Sequence, residues 1–253
     1  MKKIIFITGA TSGIGKACAQ IFAKNGYDLI ITGRRDERLQ ELSENLKNLY
    51  KVDVLTLCFD VRHKDEVTSA IASLPSKWQK IDVLLNNAGL AVGLDKIQNG
   101  QTDDWDTMID TNVKGLLYVS HAIIPLMIKN KSGHIINIGS TAAKTVYEKG
   151  NVYCASKFAV DALSKTMRID LLEHGIKVSQ VSPGAAETEF SEVRFKGDLD
   201  QAKNAYKGYK PLTADDIAPS VYYVANLPAH VCINELEITA LAQANSTSFF
   251  KSL

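Results

Sequence analysis

Tyr153 and Lys157 have side-chain types and a spacing that fit acid–base chemistry. Residues four apart share one face of a helix, so the ammonium group can lie near the phenol hydroxyl. A phenol has a pKa of about 10 in water, and a nearby cation lowers that pKa toward a range useful for proton transfer at neutral pH. The same pair is also typical of a solvated helix surface, so its function depends on the motifs that accompany it.

Length and composition indicate the general class of protein. The chain has 253 residues, of which 45% are hydrophobic, and this is enough to bury a large core in a single α/β domain spanning residues 1–253. The formal net charge is +1 and the isoelectric point is about 7.6. Because nucleic acids and anionic membranes attract basic surfaces, we expect neither as a partner.

The cysteines and the N-terminal residues predict a cytoplasmic protein. No C-x-x-C pair occurs, and a chain of this length does not need disulfides to fold. The apolar stretch after Lys3 is too short for a signal peptide, and no uninterrupted apolar run reaches about 18 residues. We therefore expect neither export nor a membrane span.

A glycine-rich turn follows the first predicted strand. Residues 3–8 form a short apolar run, GATSGIG occupies residues 9–15, and a helical pattern continues to Gly26. Glycines permit positive φ and a close approach of backbone amides to a pyrophosphate, while the helix N-terminus adds partial positive charge. A tight turn that merely requires glycine is the alternative. In the order strand, turn and helix, the pattern favours a dinucleotide site.

Two arginines follow the second predicted strand, residues 27–32. Domains that bind NAD commonly have an acidic residue at this point, whereas this chain has Arg34 and Arg35. Guanidinium groups can hold a 2′-phosphate through forked hydrogen bonds, so we expect NADP as the coenzyme. The alternative is a solvated helix start. Asp36 is predicted to cap the following helix, residues 36–50.

Strands and helices continue to alternate along the chain. Further strands are predicted at residues 52–59, 81–85, 133–139, 177–181 and 235–239, and further helices at residues 64–74, from 102 onward, 151–173 and 213–227. Thr102 and Thr213 are the predicted N-caps of their helices. The pattern predicts a Rossmann fold, a doubly wound seven-stranded parallel sheet flanked by helices, with its ligand crevice at the carboxyl ends of the strands.

Two further polar residues stand at positions that need explanation. Ser140 follows the fifth predicted strand, where a hydroxyl can donate to a substrate carbonyl oxygen, and Thr141 is a competing candidate. Asn112 and Gly115 lie inside a long helical pattern although both are poor helix formers. A helix kink with a satisfied amide is the structural alternative for Asn112.

Together these motifs resemble the short-chain dehydrogenase/reductase family. The G-x-x-x-G-x-G spacing in TGATSGIG, the tetrapeptide NNAG at residues 86–89, the serine after Gly139 and the Y-x-x-x-K pair occur in the family's order over essentially the whole chain. The coenzyme site that the resemblance implies consists of Gly9, Thr11, Ser12, Gly13, Ile14, Gly15, Arg34, Arg35, Asp60, Val61, Asn87, Ala88, Gly89, Tyr153, Lys157, Pro183, Gly184 and Thr188.

The resemblance also implies a catalytic set that includes no metal. Ser140 donates to the substrate oxygen, which the family motif favours over Thr141, and Tyr153 is the general acid and base. Lys157 lowers the pKa of Tyr153 and holds the nicotinamide ribose. Asn112 holds a water that relays protons through the lysine.

The substrate is expected to be a small 3-hydroxy acid. Segments such as IDTNVKGLLYVS and TEFSEVRFKGD resemble the branch of the family that oxidises serine, allo-threonine, 3-hydroxypropionate or 3-hydroxyisobutyrate with NADP. Family members build a mobile substrate lid at the position of residues 188–212. Within it, Arg194 is our candidate for gripping the substrate carboxylate. A surface arginine or an intersubunit ion pair is the alternative for Arg194.

Two other functions remain open from the sequence. A 3-oxoacyl thioester reductase would use the same catalytic residues on carrier-bound substrates, and a regulator that only senses NADP would need no chemistry. A regulator without catalysis would be expected to lack some of the catalytic residues. In this chain all four are present: Asn112, Ser140, Tyr153 and Lys157. The helices beginning near residues 102 and 151 match those by which family members form tetramers, so a homotetramer is expected by analogy.

Overall fold

A seven-stranded parallel sheet forms the centre of the computed structural model, which describes residues 2–252. The strands are β1 (Ile4–Ile7), β2 (Asp28–Gly33), β3 (Val54–Cys58), β4 (Val83–Asn86), β5 (His134–Ile138), β6 (Lys177–Pro183) and β7 (Glu235–Ile238). Their order across the sheet is β3-β2-β1-β4-β5-β6-β7, and every neighbouring pair is parallel. The order reverses between β1 and β4, as the predicted doubly wound fold requires.

Helices cover both faces of this sheet. They are α1 (Gly13–Lys24), α2 (Asp36–Tyr50), α3 (Lys64–Ala72), α4 (Thr102–Ile109), α5 (Leu116–Asn130), α6 (Asn151–Asp170), α7 (Glu189–Arg194), α8 (Leu199–Asn204) and α9 (Ala214–Ala225). One hydrophobic cluster joins α1, α2 and α9 to the sheet, and a second joins α3, α5 and α6 to the opposite face. Because both faces are covered, β1 reads as an unbroken apolar run whose residues are all buried.

Two of the three predicted N-cap residues are wrong by one position, and the third is confirmed. Thr102 is the first residue of α4, not its N-cap, and Asp36 is the first residue of α2, where its carboxylate accepts from Gln40 at 3.2 Å. Their short polar side chains therefore lie inside the first turn, one residue later than predicted. Thr213 does cap α9, and it forms a reciprocal capping box with Asp216.

The long helix predicted from residue 102 is interrupted at Asn112. A π-helical turn, Asp110–Gly115, joins α4 to α5. Such turns insert an extra residue into a helix and are frequent at functional sites. The weak helix formers Asn112 and Gly115 thus mark a real irregularity in the helix.

The continuous helical stretch Thr102–Asn130 is long and apolar enough, by length and composition alone, to cross a membrane. One face is buried against the sheet through Val119, Ile123 and Met127. Core helices of non-membrane proteins have the same length and hydropathy, so this feature is weak evidence for a membrane span.

Residues 188–212 form a separate layer over the carboxyl ends of the strands. The layer contains α7 and α8, and the two ends of the segment are joined to each other where Ala186–Glu187 pairs in parallel with Leu212–Thr213. At its outer side the Lys196 ammonium lies 2.7 Å from the Asp104 carboxylate on α4. The segment therefore bridges the main sheet and the α4 side of the molecule.

Candidate active site

A cavity of about 570 Å³ opens at the carboxyl ends of the strands. The residues proposed for coenzyme, substrate and catalysis come from eight separate stretches of chain, yet all of them line this cavity except Gly15 and Asn112. Strand ends of a doubly wound sheet meet at one edge, which explains why residues distant in sequence converge here.

The glycine-rich turn is held in shape by its neighbours. Gly9 and Gly13 have φ of +66° and +50°, a region that favours glycine. A Cβ on Gly15 would lie 2.3 Å from the Gly9 carbonyl oxygen, so Gly15 permits close packing of α1 on the turn and does not face the cavity. The Asn87 amide donates to the carbonyls of Thr8 and Gly9 at 2.9 and 3.0 Å, which ties the NNAG loop to the turn.

The two predicted arginines point to different parts of the cavity. Arg35 donates to the Thr11 hydroxyl at 2.9 Å and to the Ser12 hydroxyl at 3.0 Å, so it stands over the glycine-rich turn. Arg34 lies 3.6 Å from the carboxylate of Asp60 at the end of β3. Partial burial opposes ionisation of Asp60, but hydrogen bonds from Arg62 outweigh it and hold the pKa of this carboxyl below its usual value.

These groups fit a phosphorylated dinucleotide. A guanidinium and two hydroxyls beside a glycine turn form a donor set for phosphate oxygens, and the Arg34–Asp60 pair adds a second guanidinium at the same edge. A Cβ at Gly9 would lie 3.0 Å from the Ala88 Cα, so bare backbone faces the cavity at this point. The predicted adenine, phosphate and ribose residues therefore share one continuous wall.

Tyr153 lies between Ser140 and Arg194 at the inner end of the cavity. Part of its ring stays accessible from the cavity, but dense surroundings raise the pKa of the phenol above its ordinary value of 10, and the Arg194 guanidinium and the Ser140 hydroxyl only partly oppose this. The prediction of a lowered pKa for Tyr153 is therefore wrong for this structure. The physical reason is that loss of solvent around the phenol exceeds the stabilisation of its anion.

The Lys157 ammonium is anchored to β5 near the Tyr153 ring. Its Nζ donates to the Ile138 carbonyl at 2.9 Å and is 5.9 Å from the centre of the Tyr153 ring. Burial lowers the pKa of the Lys157 ammonium to about 8, so it still carries most of a positive charge at neutral pH. The Arg194 guanidinium, at 5.0 Å, is the nearer cation to that ring.

The Asn112 side chain is fully used within the protein. Its amide oxygen accepts from the Leu90 amide at 2.8 Å, and its nitrogen donates to the Leu90 carbonyl at 2.8 Å and to Ser156 at 2.9 Å. Asn112 thus clamps the loop after β4 against α6, behind the cavity wall, as the satisfied-amide alternative expects. A relay role for Asn112 remains a prediction.

The structure gives Ser140 and Thr141, the two candidate donors, different environments. Ser140 lies two residues after β5, and its hydroxyl accepts from the Ala142 amide at 3.1 Å, an arrangement that leaves the hydroxyl hydrogen free to point at Tyr153 or a substrate. Thr141 begins the short helical turn Thr141–Ala143 and is buried. The geometry favours Ser140 as the donor.

Arg194 projects from α7 into the cavity. Its guanidinium carbon lies 5.0 Å from the ring centre of Tyr153 and 5.5 Å from the ring centres of Tyr147 and Phe190, and it donates to the Tyr147 hydroxyl. Its Nε is buried without a hydrogen-bond partner. The Arg194 backbone carbonyl accepts from Gly93 at 3.0 Å, which fixes the end of α7 above the site. A buried donor with no partner indicates a place for an acceptor.

Several cavity residues could not be recognised from the sequence. They are Tyr147, Phe190, Tyr206, Gln243 and Phe249. Gln243 braces the loop after β6, because its oxygen accepts from the Ala185 amide at 2.8 Å. These residues lie in irregular or short segments without periodicity, so only the folded chain brings them to the cavity.

Comparison with known proteins decides the family. The model of the short chain dehydrogenase family matches residues 3–198 of this chain. The chain is a short-chain dehydrogenase. The predicted family and fold are therefore confirmed, and the molecule is an oxidoreductase.

Individual relatives of this short-chain dehydrogenase are similar over nearly the full length. The NADP-dependent 3-hydroxy acid dehydrogenase of Salmonella typhi is 47% identical over 242 residues, covering 95% of this chain and 96% of that protein. A sulfoacetaldehyde reductase of Chromohalobacter salexigens is 46% identical over 245 residues, covering 96% of each. The closed form of a serine dehydrogenase complexed with NADP+ has 42% identity and a TM-score of 0.92, covering 99% of this chain and 100% of that one.

Proposed function

We propose that this short-chain dehydrogenase transfers a hydride between NADP(H) and the 3-hydroxy or 3-oxo group of a small 3-hydroxy acid. Its coenzyme is NADP, for which Arg34 and Arg35 supply guanidinium groups at the end of β2. The observation that carries the substrate proposal is the Arg194 guanidinium over Tyr153. A guanidinium beside the proposed proton donor supports a substrate that carries a carboxylate, because this cation binds carboxylates through forked hydrogen bonds.

Tyr153 is the proposed proton donor and acceptor. When bound, NADP(H) supplies or accepts the hydride. In reduction the Tyr153 hydroxyl protonates the substrate oxygen, and because burial raises its pKa the phenol keeps its proton at neutral pH. In oxidation the phenol must first lose that proton to accept one from the alcohol. The Ser140 hydroxyl donates to the same oxygen and stabilises the charge that develops on it.

Lys157 and Asn112 support this pair from behind. The Lys157 ammonium is held by the Ile138 carbonyl at 2.9 Å, within the cavity wall, and is proposed to bind the nicotinamide ribose. The side chain of Asn112 holds Leu90, two residues after Ala88. Asn112 lies in the π-helical turn. We propose that the irregular backbone of this turn holds a relay water near Lys157.

Arg194 is the proposed anchor for the substrate anion. The Nε is buried without a hydrogen-bond partner, and three aromatic rings surround the guanidinium. An ionised carboxylate can accept from Nε and from one terminal nitrogen together, and this satisfies the orphan donor. The span from this guanidinium to the phenol suits a molecule whose hydroxyl lies a few bonds from its anionic group.

A sulfonate is the second candidate for the anionic group. Relatives that are 46% and 47% identical to this chain are named for a sulfonated aldehyde and for 3-hydroxy acids, respectively. Carboxylate and sulfonate both accept hydrogen bonds from a guanidinium, so Arg194 suits either. The thioester reductase and the NADP-sensing regulator have less support, because neither one explains a half-buried guanidinium beside an intact catalytic set.

The proposal is tested by a substrate panel. The purified enzyme is assayed with NADP+ and with NAD+ on serine, allo-threonine, 3-hydroxypropionate, 3-hydroxyisobutyrate and 2-hydroxyethanesulfonate, and with NADPH on acetoacetyl thioesters. We expect turnover of the small anions with NADP+. Turnover of the thioesters alone would contradict the substrate class, and the absence of any turnover would contradict catalysis.

A homotetramer in the cytoplasm is proposed on less direct grounds. Apolar side chains are exposed on the outer faces of α5 and α6, among them Leu117 at 37%, Phe158 at 42% and Ile169 at 73%. Such residues on two adjacent helices suit a subunit interface. Light scattering is expected to give about four times the monomer mass of 27.7 kDa, and a monomer would refute the tetramer.

A further inference from the structure

Lys144 ends the short helical turn that begins at Ser140. The Ser140 hydroxyl accepts from an amide of this turn, and at the other end the Lys144 amide donates to the Thr141 carbonyl at 2.9 Å. The Lys144 ammonium then lies 2.8 Å from the Asp161 carboxylate on α6 and 2.8 Å from the Glu235 carboxylate on β7. One ammonium therefore joins the turn to a helix and to a strand.

Asp161 lies on the same side of α6 as the proposed catalytic pair. It follows Tyr153 by eight residues and Lys157 by four, and residues at these spacings lie on one side of a helix. The first two line the cavity, whereas the Asp161 carboxylate is outside its lining and meets Lys144. The helix that carries the proposed proton donor is thus tied to the turn that carries Ser140.

Two polar side chains of β6 extend these ion pairs to the residue before Ser140. The Gln180 amide nitrogen donates to the Ser182 hydroxyl at 3.0 Å, and it also contacts both carboxylates, at 3.3 and 3.4 Å. A Cβ on Gly139 would lie 2.7 Å from the Ser182 oxygen and 2.8 Å from the Gln180 nitrogen, so the backbone at position 139 packs directly on these groups. The Lys144 network consists of the side chains of Lys144, Asp161, Gln180, Ser182 and Glu235.

The charges of the Lys144 network are balanced and partly shielded from water. Lys144 and the neighbouring Lys165 face two carboxylates, so the four charges sum to zero. The side chains of Asp161 and Lys144 are 13% and 32% exposed. Burial opposes the charge of Lys144, but hydrogen bonds to both carboxylates outweigh this and hold the pKa of its ammonium above the usual value. Removal of one partner would leave an uncompensated charge, so the geometry of the network is firmly set.

We infer that Lys144 and Asp161 are positioning residues for the Ser140 hydroxyl. Their ion pair sets the distance between the turn that carries Ser140 and the helix that carries Tyr153. Neither side chain lines the cavity, so both act through Ser140 and not on the substrate. The inference rests on the proposed function, in which the two hydroxyls meet at one substrate oxygen. In such a site a displacement of about 1 Å costs about 100-fold in rate.

A double-mutant cycle tests whether Lys144 acts through Ser140. The value of kcat is measured with NADP+ and the 3-hydroxy acid that turns over fastest, for wild type, Lys144→Met, Ser140→Ala and the double variant. We expect Lys144→Met to lower kcat by about 10- to 100-fold, with the dissociation constant of NADPH changed less than about twofold. In the Ser140→Ala background the same substitution should lower kcat less than about twofold, because the hydroxyl that it misplaces is already absent.

Two further variants separate position from charge. Lys144→Arg keeps a cation that can hold both carboxylates, so it should retain most of the wild-type kcat. Lys165→Met removes the exposed cation on the other side of Asp161, and it should leave kcat within about twofold. The inference would be overturned by an unchanged kcat in Lys144→Met, by an equal loss with and without the Ser140 hydroxyl, or by an equal loss in Lys165→Met.

Amide hydrogen exchange tests the positioning without any turnover. The amides of residues 142–145 are hydrogen-bonded within the turn, and their exchange is compared among the variants. We expect faster exchange in Lys144→Met and in Asp161→Asn than in wild type and Lys165→Met. Asp161→Asn keeps the shape of its side chain, so it supplies the same comparison if Lys144→Met does not fold. Unchanged exchange would refute the inference, and it can be read even if the wild-type enzyme turns over no substrate, so the two proposals fail separately.

Discussion

The guanidinium carbon of Arg194 lies 5.0 Å from the centre of the Tyr153 ring, although the two residues belong to different layers of the molecule. Tyr153 stands on α6 beneath the cavity, and Arg194 reaches down from α7 above it. The cation therefore acts on two properties at once. It lowers the pKa of the phenol that burial raises, and we propose that it also offers donors to an anionic substrate.

Replacing Arg194 should raise the KM for hydroxy acids more than for uncharged alcohols. Hydrogen bonds between charged groups contribute about 1.5 to 3 kcal/mol, so Arg194→Met should raise the KM for a 3-hydroxy acid by about 10- to 100-fold. Arg194→Lys should give an intermediate value, because an ammonium keeps the charge but not the fork. Steady-state kinetics with a hydroxy acid and a neutral secondary alcohol measures this difference. Equal changes for both substrates would count against a carboxylate contact.

The same substitution should also move the pH profile of alcohol oxidation. Oxidation needs the deprotonated phenol, so kcat/KM rises as pH approaches the pKa of Tyr153. The Arg194 guanidinium favours the phenolate and so opposes the effect of burial. Without it, the pKa of Tyr153 should rise further. With a neutral alcohol, the rising limb of Arg194→Met should therefore lie at higher pH than that of the wild-type enzyme. A limb at the same or lower pH would show that the guanidinium does not act on the phenol.

Tyr153→Phe should nearly abolish turnover while NADPH binding persists. General acid–base catalysis contributes about 10²- to 10⁴-fold, and the substitution removes only the hydroxyl. We expect kcat to fall within or beyond that range and the dissociation constant of NADPH to change less than about twofold, because the aromatic ring and the other residues of the proposed coenzyme site remain in place. Tyr223→Phe, at an exposed position on α9, is the matched control. Activity retained in Tyr153→Phe would remove the tyrosine from the mechanism.

Motif order predicted the fold and the cavity because both depend on local chain patterns. Short apolar runs buried on two faces become parallel strands; the glycine-rich turn and Ser140 follow such runs, and Pro183 ends one. Parallel strands end at a common edge, so their flanking residues had to meet. The sequence also indicated an irregular helix at Asn112, although not that the irregularity is a π-helical turn.

Contacts between distant segments could not be predicted in the same way. Glu189 and Arg38 are 151 residues apart, and nothing in either local pattern selects the other. The position of the Lys157 ammonium illustrates the same limit within one helix. Helical spacing predicted that the ammonium and the phenol share one side of α6, but not that the Ile138 carbonyl on β5 holds Nζ. Burial, which sets the pKa of Tyr153, is likewise a property of the packed molecule.

His134 should make the fold sensitive to acid. It is buried in β5, its Nε2 lies 2.7 Å from the Ser179 hydroxyl, and its Nδ1 has no partner.

Burial lowers the pKa of the folded His134 to about 3, whereas a histidine in an unfolded chain titrates near about 6.5. Between these values the unfolded state binds the extra proton, so stability is fully present above about pH 6.5 and is lost as pH falls. One proton corresponds to about 1.4 kcal/mol per pH unit. Urea unfolding between pH 7 and pH 4 should therefore show a steeper loss for the wild-type enzyme than for His134→Gln, whose amide does not titrate. His230→Gln, at an exposed position, should retain the wild-type slope. Equal slopes for wild type and His134→Gln would mean that this imidazole does not control acid unfolding.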